Sequence, residues 1–369
     1  MSSNSGVDDH DDDNSSDRRQ FGSGSRDISM SRKVCTSTSH HSQQNIMVCA
    51  NCGQGEEGGI NLKSCTACKM VSYCNRDCQI AHRPMHKKEC KRRAAELHDE
   101  ALFQEVESEE CPICFLPHIT ADQTTFQACC GKKICNGCSH AVMETAFNTK
   151  GDLGLCAFCR KTCSSFDSIE ALLKRTYDLA EAGNNWAYFM LAGYHAQGLM
   201  GLAQDNQKCN DLLLKAGRLG CGDAYYNLGI SYQQGTGVEV DMKKAIHFWE
   251  LGAMKGNVLA RTKLGRMEGQ AGNERRAYKH YIIAARAGYQ GALDGVKTCF
   301  MNGFVTKDEY TIALRDYQKR RDEMSSEQRK AAAEFDSNHE STAGMSSEQW
   351  NHAMTYMKAV NGELNVGGI

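Results

Sequence analysis

The chain has 369 residues, enough for two or three domains of ordinary size. Its 43 lysines and arginines nearly balance 45 aspartates and glutamates, and the formal charge of −2 disfavours a general polyanion-binding protein. No run of about 18 apolar residues and no secretory leader is visible, so we expect a protein that neither spans a membrane nor is secreted. We place it in the cytoplasm or the nucleus, where disulfides are rare, so those of its 20 cysteines that stand at C-x2-C spacing are expected to bind metal rather than form disulfides.

Residues 1–48 are rich in Ser, Asp, Gly and Asn and contain almost no large apolar side chains. The run from Asp8 to Asp13 is interrupted only by His10. Such a segment cannot bury enough apolar surface to offset the entropy of ordering the chain. The composition therefore predicts a disordered, acidic and serine-rich tail.

The first cysteine cluster, residues 49–90, has the spacing of two tetrahedral zinc sites. A segment this short cannot bury a sufficient core, so zinc is expected to supply folding energy. Spacing alone leaves open which four ligands share an ion. The candidate ligands are Cys49, Cys52, Cys65, Cys68, Cys74, Cys78, His86 and Cys90.

The string YCNRDCQIAHRPMHKKEC in this cluster resembles the MYND zinc finger. The family has a groove for proline-containing peptides, formed with a glutamine and a tryptophan. Gln79 matches the glutamine, whereas Arg83 stands where the tryptophan is usual and removes a large apolar wall. The resemblance also implies interleaved ligands, with Cys49, Cys52, Cys74 and Cys78 on one zinc and Cys65, Cys68, His86 and Cys90 on the other.

His82 and Pro84 bear on the helical end of this module. Cys78, His82, His86 and Cys90 recur every four residues and would line one face of a continuous helix. Pro84 argues against continuity, because proline breaks a helix interior, and we predict two short helices that meet there. His82 is a ninth candidate ligand, disfavoured because the other eight already complete two sites.

Residues 91–110 are rich in glutamate, with apolar residues at helical spacing, and predict a charged linker helix. A basic cluster overlaps its start: Lys87, Lys88, Lys91, Arg92 and Arg93. Such a cluster is typical of exposed charge near a helix C-terminus. A nucleic-acid contact is the alternative, and it would show as binding that weakens steeply with salt.

The second cysteine cluster, residues 111–163, contains three C-x2-C pairs, which are strong zinc signals. Adjacent Cys129 and Cys130 are a weaker signal, because neighbouring residues are difficult to place on one ion. His118, His140 or Cys163 could replace one of them. The candidate ligands are Cys111, Cys114, Cys129, Cys130, Cys135, Cys138, Cys156 and Cys159.

CPIC, CCGKKICNGC and CAFCR together resemble an all-cysteine RING domain. The family's ubiquitin ligases hold a ubiquitin-charged conjugating enzyme in a reactive geometry, which is catalysis by positioning. The resemblance places contacts to that enzyme and to ubiquitin at Ile113 and Arg160, with Ala157 where proline is common. A finger with purely structural zinc is the alternative. The implied ligand sets are Cys111, Cys114, Cys135 and Cys138 on one zinc, and Cys129, Cys130, Cys156 and Cys159 on the other, giving four ions in the chain.

Residues 164–309 contain an internal repeat. Gly183, Gly220, Gly256 and Gly288 recur at spacings of 37, 36 and 32 residues, and each is followed four residues later by an alanine. A glycine can end one helix in the left-handed conformation, and a small alanine lets the next helix approach closely. Segments such as YYNLGISYQQGTGVEVDMKKAIHFWELGAMKGNVLA resemble the Sel-1-like repeat, a relative of the tetratricopeptide repeat. The pattern predicts helix hairpins stacked into a solenoid.

Residues 310–336 predict one charged helix that caps the solenoid, and residues 337–369 a tail with a short helix from Ser346 to Val360. The fold class predicted for the whole chain is mainly α: two small zinc-stabilised modules followed by an α-solenoid of helix-hairpin repeats. No His-Glu-x-x-His string, glycine-rich phosphate loop or nucleophile elbow points to a hydrolase or an oxidoreductase.

These features predict a zinc-binding protein that binds other proteins, with partners on the repeats and on the MYND surface. The sharper hypothesis is a RING-type ubiquitin ligase that binds a conjugating enzyme and recruits substrate through the repeats or the MYND finger. A non-catalytic scaffold is the alternative, and a nucleic-acid-associated regulator is less favoured.

Overall fold

A computed structural model describes residues 48–55, 60–148, 156, 158–161 and 168–338. Over these residues the chain is mainly α-helical, with twelve α-helices and two two-stranded sheets, as predicted. The predicted tail up to residue 47, the predicted helix from Ser346 to Val360, and Cys163 lie outside the described residues. Among the helices of the described ranges, none has the length and apolar character needed to cross a bilayer.

The first module pairs strand β1 (Lys63–Ser64) antiparallel with β2 (Ser72–Tyr73), and helix α1 (Arg76–Leu102) follows. Asn75 caps α1, because its side chain accepts a 2.8 Å hydrogen bond from the Cys78 amide. The helix runs through Pro84 without a break, so the predicted pair of short helices is wrong. Tertiary contacts at both ends of α1 offset the hydrogen bond that proline removes.

The linker helix predicted over 91–110 is part of α1, which ends earlier than expected. The Phe103 amide bonds to the Asp99 carbonyl at the helix C-terminus, and residues 104–109 have no regular secondary structure. This segment contacts the repeats through Gln104, Glu105 and Val106, although most of its residues stay exposed.

The second module contains a hairpin and one helix. Strand β3 (Thr124–Gln127) pairs antiparallel with β4 (Lys132–Cys135), with Thr124 opposite Cys135, and α2 (Asn136–Asn148) follows directly. The Asn136 side chain accepts from the Thr125 hydroxyl and donates to the Asp122 carbonyl. These bonds join the start of α2 to the hairpin.

Eight helices form the repeat array, each packed against its neighbours in chain order. They are α3 (Ile169–Glu181), α4 (Asn185–Gln197), α5 (Asn206–Arg218), α6 (Gly222–Gln234), α7 (Met242–Met254), α8 (Val258–Gln270), α9 (Glu274–Arg286) and α10 (Gln290–Met301). The alanines that follow the repeat glycines by four residues lie near the starts of α4, α6, α8 and α10, and all are fully buried: Ala187, Ala224, Ala260 and Ala292. Cys209 is buried in the apolar core of α3 to α6.

The four repeat glycines have the predicted left-handed backbone, with φ of +85°, +101°, +85° and +94° at Gly183, Gly220, Gly256 and Gly288. At each of them two hydrogen bonds close the end of the preceding helix. At Gly220, for example, its amide bonds to the Gly217 carbonyl and the Cys221 amide bonds to the Ala216 carbonyl. This is the Schellman arrangement, in which glycine has no steric penalty.

Gly220→Ala is expected to lower the free energy of unfolding by about 1–2 kcal/mol, because an L-residue is strained at this φ. No atom lies within 4 Å of the added methyl group, so steric contact contributes nothing. Gly269→Ala is the matched control: Gly269 lies inside α8, where alanine is expected to be neutral or stabilising by about 0.5–1 kcal/mol. Urea unfolding of both variants measures the difference, and equal effects would contradict the role assigned to the turn.

The C-terminal segment forms two helices, α11 (Lys307–Glu323) and α12 (Glu327–Asn338), and not the single capping helix predicted over 310–336. Thr306 and Glu309 form a capping box at the start of α11, which packs on α9 and α10. The chain turns at Met324, which is buried, and the Ser326 hydroxyl accepts from the Arg329 amide to start α12. Helix α12 then packs on α2 of the second module.

The second module and the linker lie along the edge of the array formed by the glycine turns. The Asn184 side chain donates to the Gly131 carbonyl at 3.0 Å, and Phe126 joins the apolar core of α3 to α6. Val106 lies against Gly256, and Ile119 lies against Gly288. A side chain at these two turns would therefore meet the other module as well as strain the backbone.

Arg261 of α8 anchors the end of α1 to the array. Its side chain is 2% exposed and donates to the carbonyls of Leu102 (2.8 Å), Gln104 (3.3 Å) and Ala253 (2.8 Å). Burial lowers the pKa of Arg261 to about 10, so the cation persists at neutral pH. The positive charge is thus held by carbonyl groups at the ends of two helices, which carry partial negative charge.

Ion pairs and an aromatic contact extend this anchor. Arg276 of α9 binds both carboxylate oxygens of Asp99 at 2.6 and 2.8 Å, and this pairing keeps the pKa of Asp99 below its usual value. The Phe103 ring lies 4.7 Å from the ring of His280, centroid to centroid. The first module is therefore rigidly connected to the repeats through α1.

Candidate zinc centres

Cysteine group 1 consists of Cys49, Cys52, Cys74 and Cys78, whose sulfur atoms all lie within 4.8 Å of one another. Cys49 and Cys52 belong to the turn before β1, whereas Cys74 follows β2 and Cys78 lies in the first turn of α1. The Cys74 sulfur is 3.6 Å from both Cys52 and Cys78. The cap at Asn75 sets the direction of the helix and so brings Cys78 to the other three.

Group 2 consists of Cys65, Cys68, His86 and Cys90, again with all ligand atoms within 4.8 Å. The Nε2 atom of His86 lies 3.3 Å from the Cys68 sulfur, and the sulfurs of Cys65 and Cys90 are 3.7 Å apart. His86 and Cys90 are one helical turn apart on α1, so they face the same direction. The continuous helix thus serves two groups, with Cys78 in group 1 and the later pair in group 2.

The second module contains group 3 (Cys111, Cys114, Cys135 and Cys138) and group 4 (Cys129, Cys130, Cys156 and Cys159), each within 4.8 Å. The two groups interleave along the chain, as the resemblance implies. Adjacent Cys129 and Cys130 both belong to group 4. His118 and His140 belong to neither: His118 is buried, and His140 packs against Phe335 of α12.

The first C-x2-C pair of each group forms the same tight turn in groups 1, 2 and 3, and so does the Cys156–Cys159 pair of group 4; the remaining pair, Cys135 and Cys138, joins β4 to α2. The residue after the second cysteine has positive φ: Gly53, Lys69, Phe115 and Arg160. The amide of that residue bonds back to the carbonyl of the first cysteine at 2.8–3.1 Å. This closed turn directs both sulfurs to one side, so it pre-forms half of each tetrahedral site.

The thiols are too crowded to ionise together without a cation. In group 3, hydrogen bonding from Cys135 lowers the pKa of Cys111 to about 4, whereas burial raises the pKa of Cys138 to about 12. In group 1, hydrogen bonding from the Cys52 amide lowers the pKa of Cys49 to about 6. A divalent cation would stabilise the full set of thiolates, and four sulfur or imidazole donors per group fit Zn²⁺ in closed, structural sites.

His82 has a supporting position beside group 2. Its Nδ1 atom is 3.1 Å from the Tyr73 hydroxyl, and its ring stacks on that of His86 with centroids 5.6 Å apart. It therefore orients a candidate ligand without entering either group. Sequence reasoning noted His82 but missed Tyr73, which is buried at the end of β2.

The positions expected to contact a conjugating enzyme differ in exposure. Ile113 is half-buried against the cysteines of group 3, and Arg160 is exposed. Ala157 lies outside the described residues. Phe115, which the sequence analysis missed, is 70% exposed and has φ +58°. This φ comes from the cysteine turn, which gives Gly53, Lys69 and Arg160 the same conformation, so the feature specific to Phe115 is its exposed apolar ring.

The outer face of α1 is open in the first module. Gln79 and Arg83 are both exposed, and Ile80 and Met85 beside them are 57% and 82% exposed. The basic cluster is partly neutralised within the helix, because Arg92 pairs with Glu89 and Glu96, and Arg93 pairs with Glu96 and Glu100. Ion pairing within α1 weakens the argument for a nucleic-acid contact.

Comparison with protein families gives matches to the first module and to the repeat array. The MYND finger matches residues 49–90, and the Sel1 repeat matches residues 187–221, 222–257 and 258–289. The chain therefore contains a MYND-type zinc finger followed by three Sel1 repeats. Both are protein-interaction modules, so the chain is a zinc-binding protein of protein–protein interactions. A comparison with curated proteins gives no match.

Three solved structures are similar to parts of this chain, each with a low TM-score. A Sel1 repeat protein from Oxalobacter formigenes is 24% identical over 41% of this chain and 64% of its own, with a TM-score of 0.37. The protective antigen c5321 of uropathogenic Escherichia coli, which has an SLR fold, is 15% identical over 57% and 49%, with a TM-score of 0.27. Immunity protein Pa5087 from Pseudomonas aeruginosa is 21% identical over 54% and 76%, with a TM-score of 0.32. The chain spans less than two thirds of the length of the first two.

Proposed function

We propose that each of the four groups binds one Zn²⁺, so that the folded chain carries four ions. The support is the grouping of all sixteen candidate ligands into four sets of four, each within 4.8 Å. With every site filled by four protein donors, zinc would serve folding and would have no open position for substrate.

Native mass spectrometry of the full chain is expected to show four zinc ions. Chelation at neutral pH should remove them together with the protection of the zinc modules against amide exchange. The repeats provide the internal control, because residues 169–301 contain none of the four groups. A stoichiometry of two would contradict the proposal for one of the modules.

We propose further that the second module is a RING-type domain and the chain a ubiquitin ligase. The observation that carries this proposal is the interleaving of groups 3 and 4 together with an exposed apolar residue, Phe115, beside Ile113 at the first cysteine turn. In such a ligase the module does no covalent chemistry: it would hold the charged conjugating enzyme in position. Arg160 directly follows Cys159, the last cysteine of group 4; it is exposed and is the residue available to contact ubiquitin. The Sel1 repeats or the MYND finger would recruit substrate.

An autoubiquitination assay with a panel of conjugating enzymes tests this function. Ile113→Ala is expected to abolish activity and Phe115→Ala to reduce it by about tenfold or more, both with four zinc ions retained. Phe304→Ala removes an exposed aromatic residue that follows α10, outside the second module, and is expected to change nothing. Absence of activity across the panel, in protein that carries four zinc ions, would overturn the ligase proposal.

That outcome would favour the alternative, a non-catalytic scaffold. One observation supports it: α12 covers a face of α2, so part of the second module is already occupied within the chain. Cytoplasmic or nuclear localisation stays a prediction for either function.

A further inference from the structure

Helix α12 returns from the end of the repeats to cover α2. The two helices are in close contact at Gly137, where an added methyl group would lie 2.8 Å from the backbone nitrogen of Arg329. Ala332 is buried, and the ring of Phe335 lies 5.1 Å from that of His140, centroid to centroid, in an edge contact. The contact therefore uses one face of α12, with residues three positions apart.

Arg329 extends this contact to the loop of group 3. Its guanidinium donates to the carbonyls of Pro117 at 2.6 Å and Leu116 at 3.0 Å, and also to that of Met324 at 3.0 Å. Its Nη2 atom lies 4.0 Å from the sulfur of Cys114. Arg329 thus contacts both the backbone of the loop and a candidate zinc ligand.

The loop that Arg329 contacts depends on the cysteines for its shape. The Leu116 carbonyl also accepts from the amide of Cys111 at 3.0 Å, and an antiparallel bridge joins Glu110 to Pro117. In a module this small, bound metal fixes such a loop. Four thiolates and one zinc ion form a doubly negative centre, which a nearby guanidinium stabilises.

We propose that α2 and the Leu116–Pro117 loop form a zinc-dependent docking surface for an amphipathic helix, occupied in this chain by α12, with Arg329 a positioning residue that retains zinc at group 3. The proposal rests on zinc occupancy of that group. Coupling between two binding events is reciprocal, so zinc favours docking of α12, and docked α12 favours zinc.

The first arm of the test measures zinc retention at individual groups. The zinc-loaded full chain is challenged with excess chelator and a thiol-alkylating reagent, and modified cysteines are followed by mass spectrometry. In Arg329→Met, the group 3 cysteines are expected to be modified about 10- to 100-fold faster, as for loss of other outer-shell partners. Group 2 cysteines in the same molecules are the internal reference. Lys330→Met, which removes the adjacent exposed cation of α12, should leave both rates unchanged.

The second arm measures docking of α12 by amide exchange over residues 327–338. Cys138→Ser, which removes a group 3 ligand, is expected to accelerate exchange there, whereas Cys90→Ser in group 2 is not. Gly137→Ala should also release α12, because the added methyl group meets its backbone, although alanine is a better helix former than glycine in α2 itself.

Unchanged exchange in α12 after Cys138→Ser, or unchanged alkylation of group 3 in Arg329→Met, would overturn the coupling. Native mass spectrometry separates that outcome from failure of the proposed zinc occupancy. If zinc is absent from group 3 in the unsubstituted chain, the occupancy is wrong; if zinc is present and the two arms show no change, only the coupling is wrong.

Discussion

Replacing Cys68 with serine is expected to remove one zinc ion and unfold the first module, while the repeat array stays folded. Cys68 is 1% exposed and lies 3.3 Å from the His86 Nε2 atom in group 2. A structural zinc ion supplies about 10–16 kcal/mol of apparent folding energy in small zinc fingers. This is more than a module of that size can obtain from its apolar core.

Amide exchange and native mass spectrometry together measure this effect. Residues 60–90 are expected to lose protection, whereas the end of α1 keeps it, because Arg261 and Arg276 hold that end to the array. Cys209→Ser is the matched control, since Cys209 is equally buried but belongs to the repeat core. It should retain four zinc ions and cost about 1–2 kcal/mol, the penalty for burying a hydroxyl group. Equal behaviour of the two variants would show that group 2 holds no structural metal.

Arg261→Met is expected to lower the free energy of unfolding by about 3 kcal/mol. Methionine keeps much of the apolar stem, but the carbonyls of Leu102, Gln104 and Ala253 lose their donor. A buried polar group without a partner costs about 1–3 kcal/mol, and part of this loss is offset because a buried cation is no longer desolvated.

The matched control is Arg266→Met on the same helix, where the arginine is exposed; a change within about 0.5 kcal/mol is expected there. Urea unfolding measures both variants. Amide exchange over residues 96–105 should rise only in Arg261→Met. A loss below about 1 kcal/mol, or exchange that does not rise at the end of α1, would contradict the anchoring role.

The local features of this protein were predictable from its sequence because each depends on residues close together in the chain. The repeat glycines require left-handed backbone wherever they occur, and their alanine partners have no space for a larger side chain. The C-x2-C pairs form their turns locally. The grouping of Cys129 with Cys130 was harder to predict, because it depends on how the hairpin of β3 and β4 presents the two neighbours.

The features that were missed are contacts between distant segments. Pro84 signals a helix break, and only the contacts at both ends of α1 overcome that signal. Arg261 looks like an ordinary helix cation in the sequence, and the segment it binds lies more than a hundred residues earlier. Likewise, the charged sequence after Met324 contains no local sign that it returns to α2.

The uninterrupted α1 also fixes the distance between the first module and the repeats. At 1.5 Å per residue its 27 residues extend about 40 Å. Its N-terminal half carries candidate ligands of both groups of the MYND finger, and its C-terminal end is bound to the third Sel1 repeat through Arg261 and Arg276. A partner on the finger and a second on the repeats would therefore be held at a separation that is set when the protein folds, whereas a flexible linker would let that distance vary.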